Sequence, residues 1–304
     1  MDRYLLLILS VLVLQGCGRT GELGPEPMPE SYMKSLEEWK DYRVKVLKEP
    51  TGWLRLIDLI WLEQGKNRFG SSPEMDVRFP EGTLPEEAGS FYLSDGRVTM
   101  TVHEGVPITH EGESVREMVL REGDHRPEVE FENLTWFIDV RGDRYGVRIF
   151  DTEREKAEAF IGFPFFEVNP EWHLQARFVA WEEERVIDLK NVLGDTVHRT
   201  SPGWIEFVAG GERHSMIVFE AASGLFLMFN DRTGEDETFQ AGRYLILDSP
   251  KENGHVTLDF NRAYNPPCAF NRFTTCHLPP PQNRLDLEIR AGEKRPVDWD
   301  GLYQ

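Results

Sequence analysis

No hydrophobic run in this chain is long enough to span a bilayer comfortably, and basic charge is scarce: 53 acidic residues face 34 basic ones, a formal net charge of −19. Nucleic acid and anionic lipid headgroups both require a basic patch, so neither is expected as a partner. The arginines stand scattered among acids. Eight histidines are dispersed without an H-E-x-x-H or other paired spacing, and no G-x-S-x-G elbow, P-loop or G-x-G-x-x-G occurs. The signatures of metallohydrolases, α/β-hydrolases and nucleotide binders are therefore missing, and no metal or cofactor is expected. The absence of a fixed-period repeat speaks against a propeller or solenoid. Cysteine is limited to Cys17, Cys268 and Cys276.

What is present begins with an address. Residues 1–16 carry a short charged start (Asp2, Arg3) and an apolar run from Leu5 to Leu14, the pattern of a secretory signal peptide. The run ends in Leu14-Gln15-Gly16-Cys17, which resembles the bacterial lipobox, whose cysteine takes the lipid and becomes the new N-terminus. That resemblance implies a palmitate-type anchor on Cys17, followed by a flexible tether over residues 17–30, rich in Gly, Pro and Glu. The body is then expected at the bacterial cell envelope, held to the membrane by lipid and facing the periplasm or exterior. With Cys17 so used, Cys268 and Cys276 are an even pair in an oxidising compartment, which favours one disulfide across a seven-residue loop over a metal site with His277.

The body reads as mainly β: an N-terminal helix followed by two β-rich, sandwich- or barrel-like domains. Ser31 to Glu49 spaces Leu36, Trp39, Tyr42, Val46 and Leu47 at helical intervals, and Pro50 stops it. Short alternating runs follow, among them Trp53–Leu56, Ser90–Leu93, Arg97–Val102 and Thr135–Val140, separated by Gly, Asp, Pro or Asn turns. Ile138–Val140 and Tyr145–Phe150 predict a hairpin across Arg141-Gly142-Asp143-Arg144. The charged stretch 152–159 marks a boundary, giving domains of residues 31–151 and 152–304. In the second, strands are expected at Trp204–Val208, Ser215–Ala221, Leu225–Phe229, Tyr244–Leu247 and Val256–Phe260.

Residues 257–281 crowd polar, aromatic, proline and cysteine residues more densely than any other stretch. Strict alternation over Val256–Asn261 puts Thr257, Asp259 and Asn261 on one polar face. A hairpin to the preceding strand sets Arg243, or Tyr244 after a one-residue slip, opposite Asp259. Asn265-Pro266-Pro267 must leave the sheet, because proline cannot donate to a ladder. The candidate binding residues are Asp259, Asn261, Arg262, Tyr264, Asn265, Arg243 and Asp231, beside a loop over residues 264–281. Three functions fit this block. The first is a binding module for a small polar ligand or envelope glycan, with Trp172, Trp204 and Tyr264 as stacking surfaces. In the second, a hydrolase, Asp259 or Asp231 is the general base and Arg243 or Arg262 stabilises an anion. The third is a scaffold lipoprotein whose block locks the fold.

Two family resemblances bear on this. Trp61-Leu62, Gly65–Ser71, Arg144–Arg148, Ser201-Pro202-Gly203, Asp231–Gly234, Gly242–Leu245, Asp259–Phe270, Pro279–Pro281, Asn283-Arg284-Leu285 and Ala291–Lys294 together resemble the bacterial family labelled domain of unknown function 1684, over nearly the whole mature chain. His277 departs from it where a proline is usual, and the family brings no established activity. Residues 61–122 also resemble a forkhead-associated β-sandwich, through Gly65–Ser71, Asp76–Pro80 and His110–Glu113. Ser71 follows the turn glycine where phosphopeptide readers have Arg, so the likeness implies the sandwich without phosphothreonine recognition.

Overall fold

Two residues of the expected tether are already part of the sheet: in the computed structural model, which describes residues 23–296, strand β1 (Gly24–Pro25) pairs with Gln175 and Leu174. Helix α1 (Tyr32–Leu47) follows, burying Tyr32, Leu36 and Leu47 on one stripe. Tyr42, which the spacing places with the apolar set, is exposed. The run Trp53–Leu56, read as strand, is a turn up to Leu56: Leu54 N–H donates to Leu47 O and Arg55 N–H to Gly52 O, so these amides are spent before a ladder can form.

Short alternating runs then form β2 (Leu56–Trp61), β3 (Gly65–Gly70), β4 (Val77–Arg78), β5 (Gly89–Ser94), β6 (Arg97–Val102), β7 (Thr109–His110), β8 (Glu113–Ser114), β9 (Glu117–Arg121), β10 (Val129–Phe131), β11 (Leu134–Arg141) and β12 (Arg144–Asp151). They build one sheet in the order β4-β3-β5-β6-β9 and another in the order β2-β12-β11-β10-β7-β8. Side chains from both fill a shared core, with Phe69 stacked on Phe91 at 4.6 Å and Phe79 edge-on to Trp136 at 5.0 Å. Each of these four rings is fully buried, contributing about 1.5–3 kcal/mol. The hairpin β11–β12 forms in the expected register, Arg141 opposite Arg144 across Gly142-Asp143.

Helix α2 (Glu155–Glu158) leads to β13 (His173–Lys190), β14 (Thr196–Ala209), β15 (Glu212–Glu220), β16 (Leu225–Phe229), β17 (Arg243–Leu247) and β18 (His255–Asp259). The long β13 escapes sequence reading because Trp181-Glu-Glu-Glu-Arg185 breaks the alternation; the register slips there, between Ala180 and Arg185. The sheet runs β1-β13-β14-β15-β16-β17, and β18 pairs with the other edge of β13. The expected β17–β18 hairpin therefore does not form. Instead the sheet curls until β17 and β18 meet as its two ends, around Phe207, Phe229 and Phe260. The turn before β16 needs Gly224: its φ is +81°, and a Cβ there would lie 2.0 Å from Leu247 O.

A third apolar cluster joins the two halves. Leu47 and Leu54 from the first meet Phe160, Phe239, Cys268 and Phe270 from the second.

Candidate functional site

The curl of the β13–β18 sheet divides the sequence-selected residues among three buried polar clusters. In the first, Asp259 accepts from Tyr32 Oη at 2.9 Å and from the backbone and side-chain N–H of Asn261, both at 3.1 Å. Strand β18 ends at Asp259 and a 3-10 turn takes Phe260–Arg262, so Asn261 turns inward to Asn169 instead of continuing the polar face. Arg262 lies 3.4 Å from Asp259 and donates to Ser35 of α1 at 2.7 Å. Burial and the Asp259 charge hold the Tyr32 phenol well above its ordinary value, keeping it a donor.

The second cluster corrects the expected register. Because β17 pairs with β16 and β18 with β13, Arg243 meets Asp231, not Asp259. Its Nη2 lies 2.9 Å from Asp231 Oδ1 and 2.9 Å from Ile289 O, and Nη1 donates to Ala291 O. Asp231 also accepts from Thr233 Oγ1 and Ile289 N–H, each at 2.8 Å. In the third, Glu293 accepts from Asn265 N–H at 2.7 Å and Arg43 Nε at 3.1 Å, while Arg43 stacks over Tyr264 at 4.4 Å. Burial raises the Glu293 carboxyl despite Arg43. All three clusters tie distant segments together, and none of the seven candidates lines the cavity beside them.

That cavity, of about 470 Å³, opens where the β11–β12 hairpin, the curled β13–β18 sheet and the proline-rich loop converge. The hairpin supplies Arg141 and Arg148, β14 supplies Arg199, and the loop supplies Thr274 to His277. Trp53, Phe226, Val140 and Val197 form apolar walls. Asp139 is shared: Arg141 Nη1 lies 3.0 Å from Oδ1 and Arg148 Nη2 3.0 Å from Oδ2. The second contact is close but misdirected. Arg148 is 3% exposed, yet its Nε and Nη2 have no hydrogen-bond partner among the described residues. Arg141 is anchored through Nε to Thr275 Oγ1 at 2.7 Å, and Arg199 donates to Glu220 O at 3.0 Å. Three guanidinium groups thus line the cavity, and two of them share the Asp139 carboxylate.

Burial, partly offset by Asp139, lowers Arg148 to about 10, still charged at neutral pH. Burial and then the Arg199 and Arg141 charges lower His277 to about 4, so its imidazole is neutral there. Cys276 sits on the wall beside it. Cys268 and Cys276, expected as a disulfide, stand in this structure as two free, buried thiols. Cys268 is the middle residue of the 3-10 turn Pro267–Ala269, and its backbone N–H points at Cys276 Sγ from 3.1 Å, which arranges the pair as hydrogen-bond partners. Sequence reading reached the loop but not the arginines. Arg141 and Arg148 look like hairpin surface, and only their burial and shared Asp139 mark them.

Residues 158–294 match a family model described as Protein of unknown function (DUF1684). The likeness read from the sequence over nearly the whole mature chain is thus supported across the second half. Arg199, Tyr244 and the Thr274–His277 wall fall inside the matched segment; Trp53, Arg141 and Arg148 fall outside it. The chain is similar to an uncharacterized protein from gene locus rrnAC0354 of Haloarcula marismortui, solved by solution NMR, at 31% identity over 46% of this chain and 80% of that one, with a TM-score of 0.39. It also matches the FhaA FHA domain complexed with the intracellular domain of Rv3910 at 12% identity (30% and 96% covered, TM-score 0.22). The Slr1951 protein from Synechocystis sp. matches at 17% identity (29% and 82%, TM-score 0.20). No curated protein matches the chain.

Proposed function

We propose that the protein is a binding module for a small organic anion, a carboxylate with an aromatic or branched apolar body, held in the cavity between the two halves. The observation that carries this is Arg148: a guanidinium almost sealed from water, on the cavity wall, whose Nε and Nη2 have no hydrogen-bond partner among the described residues, Nη2 only lying close to Asp139. Leaving such donors bare costs about 1–3 kcal/mol each, which a bound carboxylate accepting from them would recover. Arg141 and Arg199 add charge that Asp139 alone does not neutralise, and this favours an anion over a neutral glycan. Trp53 and Phe226 supply surface for the apolar body.

Calorimetric titration of a panel of small carboxylates tests the reading. An aromatic or branched member should bind, and at 100 times its Kd should stabilise the fold by about 2.7 kcal/mol. Arg148→Met should abolish binding at a temperature where circular dichroism shows the variant folded, with some loss of melting temperature because Asp139 then keeps only Arg141. Equal binding by that variant, or no carboxylate binding at all, would count against the proposal.

The chain is further proposed to be a lipid-anchored protein of the bacterial cell envelope. The support is the apolar run ending in Leu14-Gln15-Gly16-Cys17, which lies outside the described residues. Metabolic labelling with a fatty acid should mark the wild type and spare Cys17→Ser; identical labelling of both would refute the anchor.

A further inference from the structure

The anion-binding reading leaves the two thiols unused. Cys276 is 9% exposed on the cavity wall, and Cys268 is fully buried behind it. The Cys276 sulfur accepts from the Cys268 backbone N–H at 3.1 Å, and its own S–H points at the Thr274 hydroxyl oxygen 3.7 Å away. Arg148 adds positive charge close by. Burial pushes both thiols up, and hydrogen bonding offsets this at Cys276, which is held below its ordinary value while Cys268 is raised. Cys276 is therefore the sulfur that faces the cavity, and Cys268 lies directly behind it, its backbone N–H on the Cys276 sulfur. Thiolate character with access is what makes a cysteine oxidisable.

We propose that Cys276 and Cys268 form a dithiol oxidised by small hydroperoxides, with Cys276 as the attacking sulfur and Cys268 as the resolving one. The Cys276 thiolate attacks the terminal oxygen of the hydroperoxide; a sulfur–oxygen bond forms, the oxygen–oxygen bond breaks, and the alkoxide leaves and takes up a proton. Cys268, losing its proton, then attacks the sulfenic sulfur; the disulfide forms, the sulfur–oxygen bond breaks and hydroxide departs as water once protonated. The sum is two thiols plus one hydroperoxide giving one disulfide, one alcohol and one water. No anionic ligand takes part, so this chemistry stands or falls separately from the binding reading.

The reduced full-length protein is mixed with an equimolar amount of hydrogen peroxide, quenched with an alkylating agent and mapped by peptide mass. A Cys268–Cys276 disulfide should form at least ~10-fold faster than free cysteine oxidises at the same pH, and dithiothreitol should reverse it. In Cys268→Ser, dimedone should trap sulfenic acid on Cys276; in Cys276→Ser, Cys268 should stay unlabelled. A wild-type rate no greater than that of free cysteine, which needs no variant to fold, overturns the proposal. So does dimedone on Cys268 in place of Cys276.

Discussion

Replacing Asp231 with asparagine strands a charge that water cannot reach. Arg243 is 1% exposed, and its one anionic partner is the Asp231 carboxylate at 2.9 Å; the carbonyls of Ile289 and Ala291 that remain are neutral. Breaking one side of a buried ion pair costs about 3–5 kcal/mol. At roughly 2–4 °C per kcal/mol for a chain above 150 residues, the melting temperature should fall by about 6–20 °C. Asp259→Asn is the matched comparison. Its partners are the neutral Tyr32 hydroxyl, the Asn261 amides and Arg262, whose side chain is 29% exposed and can turn to solvent. An asparagine there can still accept from Asn261, so the loss should stay near 1 kcal/mol. Scanning calorimetry of both variants at pH 7 decides between these magnitudes, and pairing Asp231→Asn with Arg243→Met should regain part of the loss, because no charge is left buried and the amide oxygen can still accept from Thr233 and Ile289. Equal destabilisation by the two Asn substitutions, or a double variant no better than Asp231→Asn, would refute the assignment of Arg243 to Asp231.

Two further outcomes follow from single residues. His277, lowered to about 4 by burial and by Arg199 and Arg141, stays neutral in the folded state while the unfolded chain protonates near 6.5. Its contribution is therefore fully present above pH 6.5 and lost as pH falls toward 4, by up to roughly 2 kcal/mol, and His277→Gln should flatten that part of a stability–pH profile; an unchanged profile would show the imidazole is not responsible. Asn283, fully buried, accepts from Ile217 N–H at 2.7 Å and donates to Ile217 O and Met228 O at 2.8 and 2.7 Å, filling the gap between β15 and β16. Asn283→Ala leaves three buried backbone groups unpaired and should cost about 3 kcal/mol or more in urea unfolding, whereas a loss below about 1 kcal/mol would mean that water replaces the side chain.

How much was legible follows the range of the forces involved. Alternation, turn residues and helical spacing act over a few neighbours, so the helix, half of the strands and the β11–β12 hairpin could be read directly from residues such as Leu36, Phe91 and Gly142. The same local reasoning pointed to the loop around Pro266-Pro267, because proline must leave a sheet, and Pro267 and Thr274 to His277 do line the cavity. Partner choice is different. Nothing near Arg243 in the chain says whether β17 will lie beside β16 or β18, since the hydrophobic pattern of either edge satisfies both pairings. Only closure of the curled sheet sends β18 to β13 and leaves Arg243 facing Asp231. The cavity depends still more on tertiary structure. Trp53, Arg148, Arg199 and Cys276 are separated by dozens of residues and carry no shared spacing, and the character of the site, a guanidinium with donors to spare and a thiol on a cavity wall, comes from burial that exists only once the two halves pack.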